Sequence, residues 1–277
     1  MRRVPRFCVK EFIAMAELPS SFFGWVGFIL DKYGSLFLSG VGVTMLVAIT
    51  GTVLGFALGL LVAILRTIPI PRRAPWYKRA PLKVLYALLG VYIEVFRGTP
   101  MIVQAMVIYY GGMQLGMRLP VLSAAILIVS INTGAYMAEI IRGGIISVDK
   151  GQKEAAHAIG MSHWQSMVYV VLPQAVRNIM PSIGNEFVVN IKDSSVLNVI
   201  SVNELFFMSK SAAGTYLRYF EVFFITACIY LTLTFTVTRL LRVLERKMDG
   251  NTNYIIYGSQ SDSKSSIAIQ KEGIPND

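Results

Sequence analysis

Charged and amide side chains recur at helical spacing late in one apolar stretch of the sequence. Glu186, Asn190 and Asp193 follow an i, i+4, i+7 pattern, which places them on one helical face. Lys192, seven residues after Asn185, belongs to a neighbouring stripe. Carboxylates bind ammonium groups and lysine binds carboxylates, so these residues could line a path for a zwitterion. Mutual pairing inside a helix bundle is the alternative, and Asn190 could simply bridge two helices.

Two further pairs of opposite charge have the i, i+3 spacing of helical neighbours. Glu94 and Arg97 are predicted to form a structural ion pair, or Arg97 instead stabilises a helix break directly after it. Glu139 and Arg142 are predicted to form a gating or bracing pair. Tyr136, one turn before Glu139, either lines the same path or hydrogen-bonds a neighbouring helix.

These charges belong to a chain with the composition of an integral membrane protein. Of its 277 residues 54% are hydrophobic and 15% charged, against about 25% charged in soluble domains. The expected fold is all-α and polytopic, with about five transmembrane helices. The predicted spans are residues 33–65, 82–115, 121–141, 166–191 and 220–244. Residues 1–32 are expected to form an extracytoplasmic or interfacial segment, 33–247 the transmembrane domain, and 248–277 a disordered cytoplasmic tail.

The net charge of +10 is attributed to topology, since Lys and Arg collect in cytoplasmic loops. It is not attributed to nucleic-acid binding, which would need a basic face on a soluble fold. Basic residues follow the first, third and last predicted spans. The N-terminus is therefore expected outside and the C-terminus in the cytoplasm, with residues 82–115 forming one span, extended or bent near Pro100. Met15 is an alternative start to Met1.

Three glycines in the first span, Gly51, Gly55 and Gly59, share one helical face. Such a stripe of small residues lets a neighbouring helix approach closely in a membrane. We expect these glycines to serve packing.

A polar loop, residues 142–165, interrupts the apolar pattern between the third and fourth spans. A short helix is predicted over residues 151–159, ended by Gly160 in the left-handed conformation. Ser162 and Gln165 have the spacing of a capping box that starts a second helix. Glu154, Ala155 and Ala156 lie in the first helix, where small alanines allow close seating in a groove.

A polar helical loop of this size predicts docking of a soluble partner on the cytoplasmic side. An ordinary amphipathic surface helix is the alternative. Its two histidines, His157 and His163, are six residues apart and do not share a helical face, so no metal site is predicted. No disulfide framework is predicted, because the chain has two cysteines, Cys8 and Cys228, and Cys228 lies within an apolar run.

Two other classes of membrane protein fit the sequence less well. A membrane-embedded enzyme would need a metal cluster or a nucleophile with its base. The positions of the two histidines and the two cysteines do not suggest either arrangement. A channel or secondary carrier would need pseudo-symmetric halves, and the sequence has no internal repeat. The chain also lacks a phosphate-binding loop, so it is not expected to bind ATP itself.

The sequence resembles the membrane-spanning permease subunits of ATP-binding-cassette (ABC) importers, and more narrowly their polar amino-acid group. The likeness spans about residues 33–247, with Val170 and Ser194 as minor departures. The segments that carry it are EVFRGTP at 94–100, NTGAYMAEIIRGG at 132–144, KGQKEAA at 150–156, LPQA at 172–175, GNEF at 184–187 and KDSS at 192–195.

The resemblance implies that the chain is not an enzyme and binds no cofactor. Two permease subunits, identical or paired with a sister, would form one path through a prokaryotic cytoplasmic membrane and its lipid. The polar loop, with Glu154 and Gly160, would be the coupling element that meets separate ATPase subunits holding ATP and Mg²⁺. A binding protein would deliver an amino acid from outside. A permease for another small solute, or a stand-alone channel or carrier, remains the alternative.

Overall fold

The computed structural model describes residues 18–67 and 75–249, and every regular element in these ranges is helical. The all-α prediction is therefore confirmed. Both candidate starts and the predicted tail from residue 250 onward lie outside the described residues. The helices are α1 Phe22–Thr67, α2 Trp76–Gly98, α3 Met101–Gln114, α4 Val121–Ser147, α5 Lys150–Ala158, α6 His163–Ser166, α7 Leu172–Asp193, α8 Leu205–Tyr216 and α9 Tyr219–Asp249. A π-helical segment, Met167–Val171, precedes α7, and a 3₁₀ segment, Ser194–Ile200, follows it.

The five predicted spans correspond to α1, the α2–α3 pair, α4, α7 and α9. Within the described ranges α1, α4 and α9 are long and apolar enough to cross a membrane. The α2–α3 pair counts as a fourth span if its two halves, bent by 115° at the break, are taken together. The predicted bend near Pro100 is thus present. Helix α7, with 22 residues, is not among these candidates, so the described residues contain three or four candidate spans and the expected number of about five stays a prediction.

The first helix begins at Phe22, well before the predicted start near Tyr33. The extra turns are mainly aromatic and aliphatic and contain no proline. Their charge is accommodated because the Lys32 ammonium lies 5.6 Å from the Phe28 ring centre and 5.0 Å from that of Tyr216. Cation–π contact of this kind lets a lysine remain in an aromatic environment.

The glycine stripe of α1 packs directly on α4, as predicted. A Cβ atom added to these glycines would lie 2.4 Å from Val129 at Gly51, 2.7 Å from Thr133 at Gly55 and 2.5 Å from Met137 at Gly59. Real Cβ atoms do not approach other atoms so closely, so the contact requires glycine. The backbones of α1 and α4 therefore approach each other closely in the bundle core.

The carboxylate of Glu204 joins α8 to the rest of the bundle. It is fully buried and accepts the backbone N–H groups of Phe206 at 2.8 Å and Phe207 at 2.6 Å, which caps α8. The Tyr230 hydroxyl on α9 donates to the same carboxylate at 3.0 Å. The cap is local, but the link to α9 could not be inferred from spacing, because Tyr230 lies 26 residues away.

Replacing Gly59 with alanine tests the α1–α4 contact. We expect Gly59→Ala to lower the melting temperature of the detergent-solubilised protein, because overpacking costs about 1–3 kcal/mol. Gly42→Ala is the matched control, since a Cβ atom there meets nothing within 4 Å. That control should melt at the same temperature or higher, as alanine favours a helix by roughly 1 kcal/mol over glycine. Equal melting temperatures for both variants would contradict the close contact.

Candidate functional site

Three arginines from three helices converge on the carboxylate of Glu139. Its Oε2 lies 2.7 Å from Arg142 Nη2 and 3.9 Å from Arg97 Nη1, and its Oε1 lies 3.2 Å from Arg66 Nη1. The predicted pair of Glu139 and Arg142 is therefore present, and α1 and α2 add two cations that local spacing could not reveal. One carboxylate facing three guanidinium groups leaves the cluster positively charged.

The predicted ion pair between Glu94 and Arg97 is wrong. The Arg97 guanidinium turns toward α4, where it meets Glu139 and lies 5.5 Å from the centre of the Tyr136 ring. Glu94 is exposed and forms no ion pair with any residue that the structure describes. Helical spacing permits the pair, but α4 offers Arg97 both a carboxylate and an aromatic face. The Tyr136 ring supports Arg97, a role that the sequence analysis did not consider.

The two acidic side chains of α7 face the same region. Glu186 and Asp193 are both half-buried, and the Glu186 carboxylate interacts electrostatically with Asp193 and Arg97. Among the described residues neither carboxylate has a hydrogen-bonded or ion-paired partner. Arg97, Tyr136, Glu186 and Asp193 are here named the Arg97 cluster, in which Arg97 contacts Tyr136 and acts electrostatically on Glu186.

Asn190 does not line an open path, and its prediction as a path residue is corrected. Its side chain is 3% exposed, and its amide donates to Thr52 Oγ1 at 2.8 Å and to Thr133 Oγ1 at 3.0 Å. These bonds join α7 to α1 and α4. The amide is fully used in helix bridging because a buried polar group must find a partner.

Lys192 lies on another side of α7 from the Arg97 cluster. It is exposed and lines a cleft of about 260 Å³ between α7 and α9, together with Arg239 and Arg242. The predicted neighbouring stripe of Asn185 and Lys192 is thus a face directed at α9, where Asn185 lines an adjoining cleft. The structure therefore separates Lys192 from the cluster, although its charge still acts on Asp193.

The polar loop folds as predicted into two capped helices joined by a glycine turn. Asp149 Oδ1 accepts the Gly151 N–H at 2.6 Å and caps α5. Gly160 has φ +85°, in the left-handed region that favours glycine. Ser162 Oγ accepts the Gln165 N–H at 3.2 Å, and Gln165 Oε1 accepts the Ser162 N–H at 2.9 Å. The capping box is confirmed.

The outward face of the polar loop carries both apolar and acidic groups. Ala156 is buried, where α5 packs against the π-helical segment, whereas Glu154 and Ala155 are exposed. Ile159 and Trp164, on either side of the glycine turn, are 79% and 72% exposed. Close seating by alanine therefore occurs inward at Ala156, and Glu154, Ala155, Ile159 and Trp164 are among the exposed side chains that a partner could reach.

The polar loop continues without interruption into α7. Helix α6, the π-helical segment and α7 follow one another directly from His163 to Asp193. The glycine turn also brings the rings of His157 and His163 together, nearly parallel and with centres 6.4 Å apart. Their spacing of six residues would not have placed them on one face of a single helix. The described residues contain no group of three or more His, Cys, Asp or Glu side chains that could hold a metal ion.

The chain is similar to known membrane components of transport systems. Residues 76–250 match the family described as the inner membrane component of binding-protein-dependent transport systems. The chain is 35% identical over 215 residues to the glutamine transport system permease of Escherichia coli K12, covering 77% of this chain and 93% of that protein. It is 34% identical over 215 residues to the arginine transport system permease of Bacillus subtilis 168, with the same coverage.

Solved structures give the same result. A crystal structure of an amino acid ABC transporter with histidines has a chain that is 38% identical, with a TM-score of 0.73, covering 83% of this chain and 99% of that one. The MetNI methionine ABC transporter, at 19% identity, shares the fold, with a TM-score of 0.64 and coverage of 79% and 98%. This chain therefore belongs to the inner-membrane permeases of binding-protein-dependent ABC transporters, within their polar amino-acid group.

Proposed function

We propose that this chain forms the amino-acid path of an ABC importer and that its polar loop transmits force from a separate ATPase subunit to that path. One observation carries the proposal. Trp164 and the acids of α7 belong to a single uninterrupted helical run from His163 to Asp193, and α5, which carries Glu154, packs against the π-helical segment of that run. A partner that moves the loop therefore moves Glu186 and Asp193 as well.

The surface of the polar loop suits a protein partner. Large apolar side chains such as Ile159 and Trp164 gain free energy when a partner covers them, and tryptophan is enriched among residues that dominate interface affinity. Glu154, which has no ion-paired partner among the described residues, is available to a basic group at the joint. In this proposal the ATPase binds ATP and Mg²⁺, and this chain binds neither.

The Arg97 cluster suits a zwitterion. The Arg97 guanidinium can hold a carboxylate through charge-assisted hydrogen bonds, and Glu186 or Asp193 can hold an ammonium group. Charged groups are costly inside a membrane, so the half-buried Glu186 and Asp193, which have no ion-paired partner among the described residues, favour a functional role. The excess positive charge around Glu139 lies beside Arg97, where it can receive or gate a carboxylate.

The proposed assembly rests on the family to which the chain belongs. The chain pairs with a second permease subunit, itself or a sister, and a binding protein delivers the amino acid on the outer side. The polar loop faces the cytoplasm, with the N-terminus outside and the C-terminus inside, because the basic segments are then all cytoplasmic. The relatives named for glutamine and arginine transport support a polar amino acid as substrate.

The glycine turn of the polar loop provides the first test. A Cβ atom at Gly160 meets nothing within 4 Å, so Gly160→Val causes no steric clash with neighbours and strains only the left-handed backbone at this position. The left-handed conformation costs a branched residue about 1–2 kcal/mol, and we expect uptake into proteoliposomes to fall about tenfold while the subunit remains in the membrane. Gly143→Val, at an exposed helical glycine with open space, is the control. Equal uptake by the two variants would refute force transmission through this turn.

Neutralising one acid of the Arg97 cluster tests the path. Asp193→Asn should raise the amino-acid concentration that half-stimulates ATP hydrolysis by the complete complex by about tenfold, since a hydrogen bond to a charged group contributes about 1.5–3 kcal/mol. Glu245→Gln, an acid on α9 that lines the clefts on the other side of α7, is the control. If both variants respond to the amino acid like the unsubstituted complex, Asp193 serves structure alone.

A further inference from the structure

Two buried amides hold the break between α2 and α3. Gln104 Nε2 lies 2.9 Å from the Phe96 carbonyl oxygen, 2.8 Å from the Thr99 carbonyl oxygen and 2.9 Å from Thr99 Oγ1, and its two hydrogens are shared among these acceptors. Asn132 Nδ2 on α4 donates to Gln104 Oε1 at 2.9 Å and to the Phe96 carbonyl at 3.3 Å. Gln104 is 6% exposed and Asn132 8%, so neither side chain is free to bind a substrate.

These bonds satisfy groups that the break leaves without partners. The last carbonyls of a helix have no following N–H to accept, and Pro100 cannot donate one. Within a membrane no water replaces the missing donor, and an unpaired carbonyl is costly. The two amides supply the donors, so the 115° bend between α2 and α3 is stabilised by side chains that come from α3 and α4.

The held carbonyls flank Arg97. Phe96 precedes Arg97 and Thr99 follows it by two residues, so both ends of the segment that carries the guanidinium are fixed. Asn132, Tyr136 and Glu139 have the i, i+4, i+7 spacing of one face of α4. This face holds the backbone of the break through Asn132 and the Arg97 side chain through the other two residues.

We propose that Gln104 and Asn132 are positioning residues that set the place of the Arg97 guanidinium in the substrate path. They act through the break and do not touch the substrate. The inference rests on the proposed function, in which Arg97 holds the carboxylate of the amino acid. Its structural part, that the amides fix Arg97, is independent of what the transporter carries.

Gln104→Leu tests the inference in the complete complex reconstituted in proteoliposomes. It removes the bonds to both carbonyls with little change in side-chain volume. We expect the amino-acid concentration that half-stimulates ATP hydrolysis to rise about tenfold, equivalent to roughly 1.4 kcal/mol, while the maximal stimulated rate changes by less than about twofold. Gln114→Leu, an exposed glutamine at the other end of α3, is the matched control. Asn132→Asp keeps the size and loses the donor, and it replaces Gln104→Leu if that variant does not assemble.

A double substitution separates positioning from general stabilisation. If Gln104 acts through Arg97, the double variant Arg97→Ala/Gln104→Leu should need the same amino-acid concentration for half-stimulation of ATP hydrolysis as Arg97→Ala alone. The effects of substitutions within one network are not additive. Additive increases in this concentration would mean that Gln104 acts elsewhere, and the inference would be overturned.

A chemical measurement makes the test independent of transport. Arg97→Cys is introduced into a chain whose Cys8 and Cys228 are replaced by serine, and its rate of modification by a thiol reagent is followed. We expect Gln104→Leu to change that rate at least threefold and Gln114→Leu to leave it unchanged. An unchanged rate overturns the inference. In a complex that no amino acid stimulates, a changed rate supports positioning while the proposed function fails.

In a complex that an amino acid does stimulate, the half-stimulating concentration shows whether the position of Arg97 affects substrate binding. If Gln104→Leu and Gln114→Leu have the same half-stimulating concentration, the position of Arg97 has no consequence for the substrate. The inference is then wrong while the proposed function stands.

Discussion

The interior of a membrane offers no hydrogen-bond partners, and the polar centre of this protein is arranged around that constraint. Several buried amides near the centre of the bundle are held by groups from other helices, whereas Ser130 bonds a carbonyl of its own helix. Asn190 bonds Thr52 and Thr133, and Gln104 bonds Asn132 and the broken end of α2. Because the bonds of these amides cross between helices, they also fix the positions of the helices.

Helix α4 occupies the centre of this arrangement because α1 lets it come close. The three glycines of α1 remove the side chains that would otherwise separate the two backbones. Successive faces of α4 can then serve different neighbours. Thr133 meets the amide on α7, Asn132 meets the helix break, and Tyr136 with Glu139 meet Arg97. A single helix thereby sets the relative positions of the groups that make up the Arg97 cluster.

The sequence predicted the features that depend on neighbours within one or two helical turns. Gly160, the capping box at Ser162 and the pair formed by Glu139 with Arg142 are all local, so spacing and residue type were sufficient. The features that failed depend on tertiary contacts. Arg97 had a carboxylate three residues away at Glu94 but turned to another helix, which no spacing rule could have indicated. The links from Asn132 to Gln104 and from Tyr230 to Glu204 were missed for the same reason, because each joins helices that are distant in sequence.

The position of Asn190 bears on how force from the polar loop would act on the path. This residue anchors α7 to α1 and α4, and it lies between the two acids, four residues after Glu186 and three before Asp193. A tilt of α7 about that anchor moves the two carboxylates in opposite directions relative to Arg97, which α4 holds in place. The field around a bound zwitterion would then change with a small movement of one helix, and no charged residue would need to leave the bundle.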